Sequence, residues 1–264
     1  EEMRCGKAHL IEIRNFEDFS IEPVGNMTVL TGKNGAGKTN IIEAIYFASV
    51  GKSFRTSNDE ELIRLDKEEG TILLDFTVRG VTHEIKIKLS RKKGKKILIN
   101  ETATKKKDLM GMFRTVLFTP DELQLIKGAP QNRRRFIDLE ISQVSPRYYE
   151  EILHYGRAVQ QRNAAFKEAR FHGFMADVDI WDMQIAKRAS YIVKKRMETI
   201  EKMNEIVSSM ESFLTDEKES ILIKYRKSGN QEERFDEEWY LEKLALAREE
   251  DSRSEERRVG KECR

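Results

Sequence analysis

Residues 32–39 read GKNGAGKT, matching G-x-x-x-x-G-K-[ST] throughout, and no other feature constrains the fold as tightly. Such a loop works between a buried strand and the N-terminus of a helix, where backbone N–H groups and the positive end of the helix surround a phosphate. Both flanks read that way. Residues 27–31 (MTVLT) are a short apolar, partly β-branched run suited to a buried parallel strand, and 40–50 (NIIEAIYFASV) is apolar around most of a helical circumference. Gly32, Gly35 and Gly37 permit backbone conformations and close approach that a Cβ would obstruct. The expected nucleotide-binding set is Gly32, Lys33, Asn34, Gly35, Ala36, Gly37, Lys38, Thr39 and Asn40. Within it, Lys38 reaches the outer phosphates of a nucleoside triphosphate such as ATP, and the Thr39 hydroxyl ligates Mg²⁺.

The rest of the chain changes pattern three times. Upstream of the loop, 9–13 reads as a strand, followed by a loop containing Asn15, Phe16 and Pro23. A short helix is expected near 59–64. Residues 71–100 then alternate with period two and suggest a three-stranded meander over 71–78, 81–89 and 96–100. Ile85, Ile87 and Leu89 alternate with Lys86 and Lys88, so one face is buried and the other is basic and wet. A further apolar run, Val116-Leu117-Phe118, is broken by Pro120. From about 133 the text is helical. Ile185, Ala189, Ile192, Ile200, Met203, Val207, Met210 and Leu214 recur at steps of three and four, a long amphipathic helix with a packing stripe. Residues 219–225 return to strand patterning, and 237–250 is a last helix.

Composition matters at one point. Charged residues make up 36% of the chain in nearly equal numbers of each sign, no apolar run is long enough to span a membrane, and the first residues lack the apolar core of a secretory signal. Cys5 and Cys263 have no metal-ligand spacing, and a cytoplasmic protein is expected. Residues 253–263 (RSEERRVGKEC) resemble the in-frame translation of a sequencing adapter. Without 252–264 each sign numbers 43, so the net charge of +2 belongs to that tail.

The residues around the loop, GKNGAGKTNIIEAIY, resemble the heads of SMC- and Rad50-class ABC-type ATPases. Three further stretches are similar to the RecF family of bacterial recombination mediators: GKSFR at 51–55 with ELIR at 61–64; FTPDEL, IKGAP and RRRFID between 118 and 138; and QRNA at 161–164 with Trp181, Asp182 and Gln184. The phosphate loop is shared by many families, whereas 118–138 is specific to this one. The resemblance implies an α/β fold: an ABC/SMC-head-like P-loop domain with an antiparallel β-meander and an inserted α-helical lobe. The expected division is 1–130 for the P-loop lobe, 131–214 for the helical lobe, 215–251 returning toward the ATPase core, and 252–264 as a non-native tail. It also implies ATP and Mg²⁺ as cofactors, ATP-dependent homodimers, duplex DNA near single-strand gaps as ligand, RecO and RecR as partners, and no membrane.

Departures from the family pattern concern hydrolysis. The family is a slow ATPase whose site is completed by a partner's signature motif and by an acidic strand end, and neither appears in this chain. The nearest internal candidate, Asp75 after Ile72-Leu73-Leu74, is followed by Phe76 and reads as part of a meander strand. No catalytic residue is therefore named, and the chain is expected to bind ATP without hydrolysing it. Arg91, Lys92, Lys93, Lys95 and Lys96 form a cationic hairpin tip, and Lys105, Lys106 and Lys107 follow. Such tips either grip phosphate backbones or serve as solvated turns that protect sheet edges. Arg133–Arg135 suits a structural or ATP-linked role as well as DNA contact. Two other functions compete: a small-molecule P-loop kinase, which leaves 118–138 unexplained, and an SMC-type chromosome head, which would need longer coiled-coil arms.

Overall fold

The computed structural model of this chain describes residues 3–120, 124–172, 177–215, 221–226 and 234–253. The chain divides into two compact units, Glu1–Thr119 and Pro120–Arg264.

The first unit is one antiparallel sheet in the order β2-β1-β3-β4-β5-β6. Its strands are β1 (Met3–Ile13), β2 (Phe16–Ile21), β3 (Glu69–Val78), β4 (Val81–Ser90), β5 (Gly94–Ile99) and β6 (Thr102–Thr104). Period-two patterning decides which face is buried. Ala8 and Leu10 of β1, Ile72, Leu74 and Phe76 of β3, and Ile85, Ile87 and Leu89 of β4 join one core. Helix α1 (Lys38–Val50) adds Ala44, Phe47 and Ala48 to it. Burying Phe47 alone is worth about 1.5–3 kcal/mol. The meander expected over 71–100 is present and carries one additional short strand, β6.

Two local expectations fail here, and a third is met in a tighter form. Residues 27–31 form no strand, and Met27 and Val29 are 82% and 72% exposed, because both sheet edges, β2 and β6, lie elsewhere and leave this backbone without a ladder. The segment after Ile13 is not a loop but β2, joined to β1 by a tight turn in which Arg14 has φ +53°. Phe16 and Phe19 stack at 4.6 Å, and their spacing of three hid the strand from a period-two reading. The short helix expected near 59–64 is a single 3-10 turn, Asp59–Leu62, ended where Ile63 bridges to Ile13.

The second unit is helical: α3 (Gln124–Lys127), α4 (Pro130–Val144), α5 (Pro146–His172), α6 (Asp179–Thr215) and α7 (Glu237–Arg253). The remaining short helix, α2 (Lys106–Leu109), belongs to the first unit. The proline that opens α4 loses no hydrogen bond, since first-turn N–H groups have no intrahelical partner. Ala158 and Val159 of α5 pack against Ile185, Ala186, Ala189 and Val193 of α6 and Trp239, Tyr240 and Leu244 of α7. The α6 stripe is partly confirmed: Ile185, Ala189 and Ile192 are buried and Ile200, Met203 and Val207 half-buried, whereas Met210, farther along, faces solvent.

Buried charge fixes how these helices dock. Arg162, fully buried on α5, donates to Asp182 of α6, to Asp251 of α7 at 2.8 Å and to the Leu244 carbonyl at 3.3 Å. Arg196 of α6 donates to both carboxylate oxygens of Asp138 on α4 at 2.7 Å, and the Tyr148 hydroxyl adds a 2.6 Å bond. Burial, reinforced by the Asp138 charge, pushes the Tyr148 hydroxyl pKa well up. The strand expected at 219–225 is absent from 221–226, while 216–220 lie outside the described residues. The Ile223 N–H donates to Asn204 Oδ1 at 2.8 Å and Asn204 Nδ2 donates to the Ile223 carbonyl at 2.9 Å, so a helix side chain satisfies both backbone groups of that residue in place of a neighbouring strand. The tail reading also falls outside the described residues from 254 onward. Among the described residues, no helix is long and apolar enough to cross a membrane.

Candidate phosphate-binding site

The 32–39 loop ends on the N-terminus of α1. Gly37 is the N-cap, at φ +99°, and gives no side-chain cap, so first-turn N–H groups are left for another acceptor. A Cβ at Gly37 would fall 2.5 Å from Phe16 Cζ and 2.8 Å from the Asn15 amide, so only glycine fits between the loop and the β1–β2 turn. Residues 32–36 are exposed, as is Thr39 at the start of the helix. The Lys38 ammonium folds back over the loop and donates to the carbonyls of Gly32 at 2.7 Å and Lys33 at 2.8 Å. A cation above exposed glycine backbone, beside the open N-terminus of a thirteen-residue helix, is the arrangement a triphosphate requires. The donor set suits phosphate oxygens, and the one hydroxyl at the helix start, Thr39, suits a hard divalent cation.

Beneath the loop lies a polar network that sequence reading did not assemble. Glu43, on the buried face of α1, is 1% exposed. It accepts from Arg14 Nε and Nη2 at 3.0 and 2.7 Å, from Ser53 Oγ at 2.5 Å and from Arg55 Nη1 at 3.2 Å. Arg55 also donates to Asn40 Oδ1 at 2.7 Å, Asn40 donates to Asn15 Oδ1 at 2.8 Å, and Asn15 reaches the Ala36 carbonyl of the loop at 3.4 Å. The turn after β1, the 51–56 segment and the phosphate loop are thereby tied to one carboxylate. Burial opposes ionisation of Glu43, but hydrogen bonds from Arg14 and Ser53 and the charges of Arg14 and Arg55 outweigh it and hold its carboxyl below the ordinary range. One signal was available in the sequence. Glu43 is the single charged residue of 40–50, placed two residues after Ile41 and one before Ala44 on the helix that faces the core.

The cationic hairpin divides. Lys95 is held inside: it donates to Asp59 at 2.5 Å and to the Gly51 carbonyl at 2.9 Å, and lies 5.0 Å from the Phe47 ring centroid. Arg91 donates to the Lys67 carbonyl at 2.9 Å, and Lys92 pairs with Glu68 at 3.3 Å. Lys93 and Lys96 are exposed. Lys105 precedes α2, and the Lys106 side chain packs beside Gly51. Arg133 closes carbonyls of Leu125, Ile126 and Gly128 at 2.9–3.3 Å, a structural role. Asp75 lies mid-strand, opposite Lys7 and Glu84, away from any strand end. His9 pairs with Asp18 at 2.7 Å, and no cluster of metal-ligand type occurs among the described residues.

The family model of an AAA domain matches residues 7–258. The DNA replication and repair protein RecF of Lachnospira eligens is 37% identical over 220 residues, covering 82% of this chain and 61% of that protein. Its counterpart in Clostridium beijerinckii is 37% identical over 238 residues, covering 89% and 64%. A solved structure of the recombination mediator protein RecF with ATP, from the RecFOR pathway, superposes with a TM-score of 0.85 at 25% identity, over 96% of this chain and 70% of that one. The chain thus spans less than two thirds of the length of these curated relatives.

Proposed function

The chain belongs to the AAA-domain family and is RecF-like, and on that premise we propose that it binds ATP with Mg²⁺ on the 32–39 loop and serves DNA repair and replication. The observation that carries the nucleotide reading is the loop itself: Lys38 above the exposed carbonyls of Gly32 and Lys33, at the open N-terminus of α1. Lys38 and the loop N–H groups hold the phosphates, and Thr39 holds the metal, which neutralises phosphate charge. Asn15, Asn40, Arg55 and Glu43 keep the loop in shape.

In the whole protein this site works within an ATP-dependent homodimer on duplex DNA beside single-strand gaps, in the cytoplasm, with RecO- and RecR-type partners. ATP hydrolysis is assigned to residues outside this chain: Asp75, the acid that follows the apolar run Ile72-Leu73-Leu74, sits inside a paired strand, and Glu43 is held by Arg14, Ser53 and Arg55. A small-molecule kinase is disfavoured because the likeness to RecF extends over both units rather than over the loop alone. The test is binding of a gapped fluorescent duplex with and without ATP·Mg. Nucleotide-dependent affinity supports the reading, and DNA binding indifferent to ATP, or absent, refutes it.

A further inference from the structure

Lys88 and Lys96 stand directly opposite each other on β4 and β5. Both are exposed, and neither has an ion-pair partner among the described residues. Like charges directly opposed across a sheet destabilise the pairing, so this arrangement weakens the sheet in the absence of a ligand. Lys86 lies two residues along β4 on the same face, 3.7 Å from Glu84, and Lys93 projects from the turn between the two strands. The register extends the surface onto β3, where Thr71 faces Lys88 and Leu73 faces Lys86. This is the side of the sheet turned away from α1 and the core.

We propose that this outer sheet face, through Lys88, Lys93 and Lys96 with Lys86 at its edge, is the docking surface for the phosphate backbone of duplex DNA. The proposal rests on the DNA-binding reading above and places the contact on the sheet face rather than on the whole hairpin tip. Lys95 is excluded because it is committed to Asp59 and the Gly51 carbonyl. Charge complementarity selects a polyanion: Lys88 and Lys96, opposed across two strands, and Lys93 on the turn that joins those strands meet successive phosphates. The remaining side chains select duplex over single strand. The outward residues of β1, β3, β4 and β5 include no Phe, Tyr or Trp, so the face lacks the stacking platforms that hold unpaired bases. None of the large exposed hydrophobic residues lies on this row, so it also lacks the anchors of a membrane-binding surface.

The experiment measures anisotropy of a fluorescent duplex and of a dT oligonucleotide against KCl concentration, for the chain and for its Lys88→Gln/Lys93→Gln/Lys96→Gln variant. The expected result is at least tenfold weaker duplex binding, with the slope of log K on log[salt] flattened by about 2.7, since each lost phosphate contact removes about 0.9. The variant should melt no lower than the parent, because the opposed charges are gone. An Arg91→Gln/Lys92→Gln variant should change the slope less. If the parent binds duplex and the triple variant binds it with the same affinity and slope, or if the parent prefers the dT oligonucleotide, the proposal is overturned while the DNA-binding reading stands. A parent that binds no DNA at any salt overturns both.

Discussion

Replacing Glu43 with glutamine tests whether one carboxylate holds the phosphate loop in shape. The change keeps the volume but removes the charge from a site that is 1% exposed and receives four donor contacts, two from Arg14, one from Ser53 and one from Arg55. Hydrogen bonds to charged groups are worth ~1.5–3 kcal/mol and neutral ones ~0.5–1.5. The amide also turns an NH₂ toward a guanidinium that needs an acceptor. Arg14 and Arg55 retain side-chain exposures of 19% and 44%, so water recovers part of the loss. The expected net cost is about 2–4 kcal/mol, at the low side of breaking a buried ion pair. Tryptophan fluorescence is blind to it, since Trp181 and Trp239 both lie in the second unit. Hydrogen exchange resolves it: amides of α1 and 51–58 should lose protection by about 30- to 1,000-fold at one decade per 1.4 kcal/mol, while α5 and α6 stay unchanged. Protection of α1 within about threefold of the parent would refute the reasoning.

The same carboxyl sets a pH dependence. Its pKa in the fold lies below its ordinary 4.5, so its stabilisation is complete above that value and is lost as pH falls through the lower folded value; acid titration of α1 protection should show the loss in the parent and not in Glu43→Gln. In the second unit, Arg162→Ala removes the buried cation that joins α5 to Asp182 and Asp251; Arg248 still pairs with Asp182 at 2.7 Å, so the expected cost is about 3 kcal/mol, the low end for breaking a buried ion pair. Loosening α7 would expose Trp239, which is 4% exposed, and a red shift of tryptophan emission reads it; an unshifted spectrum with unchanged stability would contradict the clamp. Thr39→Ala should weaken ATP binding in Mg²⁺ and leave metal-free binding nearly unaltered by calorimetry; equal losses in both would remove Thr39 as the metal ligand.

The sequence made legible what short-range pattern controls. The GKNGAGKT loop, the helix after it and the alternation of Ile85, Ile87 and Leu89 with Lys86 and Lys88 each reappear in the structure, because loop chemistry and period-two burial are local. What escaped depends on partners distant in the chain. Residues 27–31 have the composition of a buried strand, yet strand formation needs a neighbouring ladder, and the described residues place none beside it. Lys95 looked like its neighbours in a cationic run, but Asp59 and the Gly51 carbonyl, far back in sequence, hold it inside. Glu43 had a local signal, one charge on an apolar helix, while its partners Arg14 and Ser53 became visible only when the fold brought them together.

The most direct test of the central claim is calorimetric titration of ATP·Mg into the chain and into Lys38→Ala, both first shown folded by hydrogen exchange. Lys38 supplies the side-chain cation above the loop carbonyls, and a charge-assisted contact of this kind is worth ~1.5–3 kcal/mol, or roughly tenfold or more in affinity. The expected result is measurable binding by the parent and at least tenfold weaker binding by the variant. Equal ATP affinity in the two proteins would mean that the 32–39 loop is not where this chain holds a nucleotide.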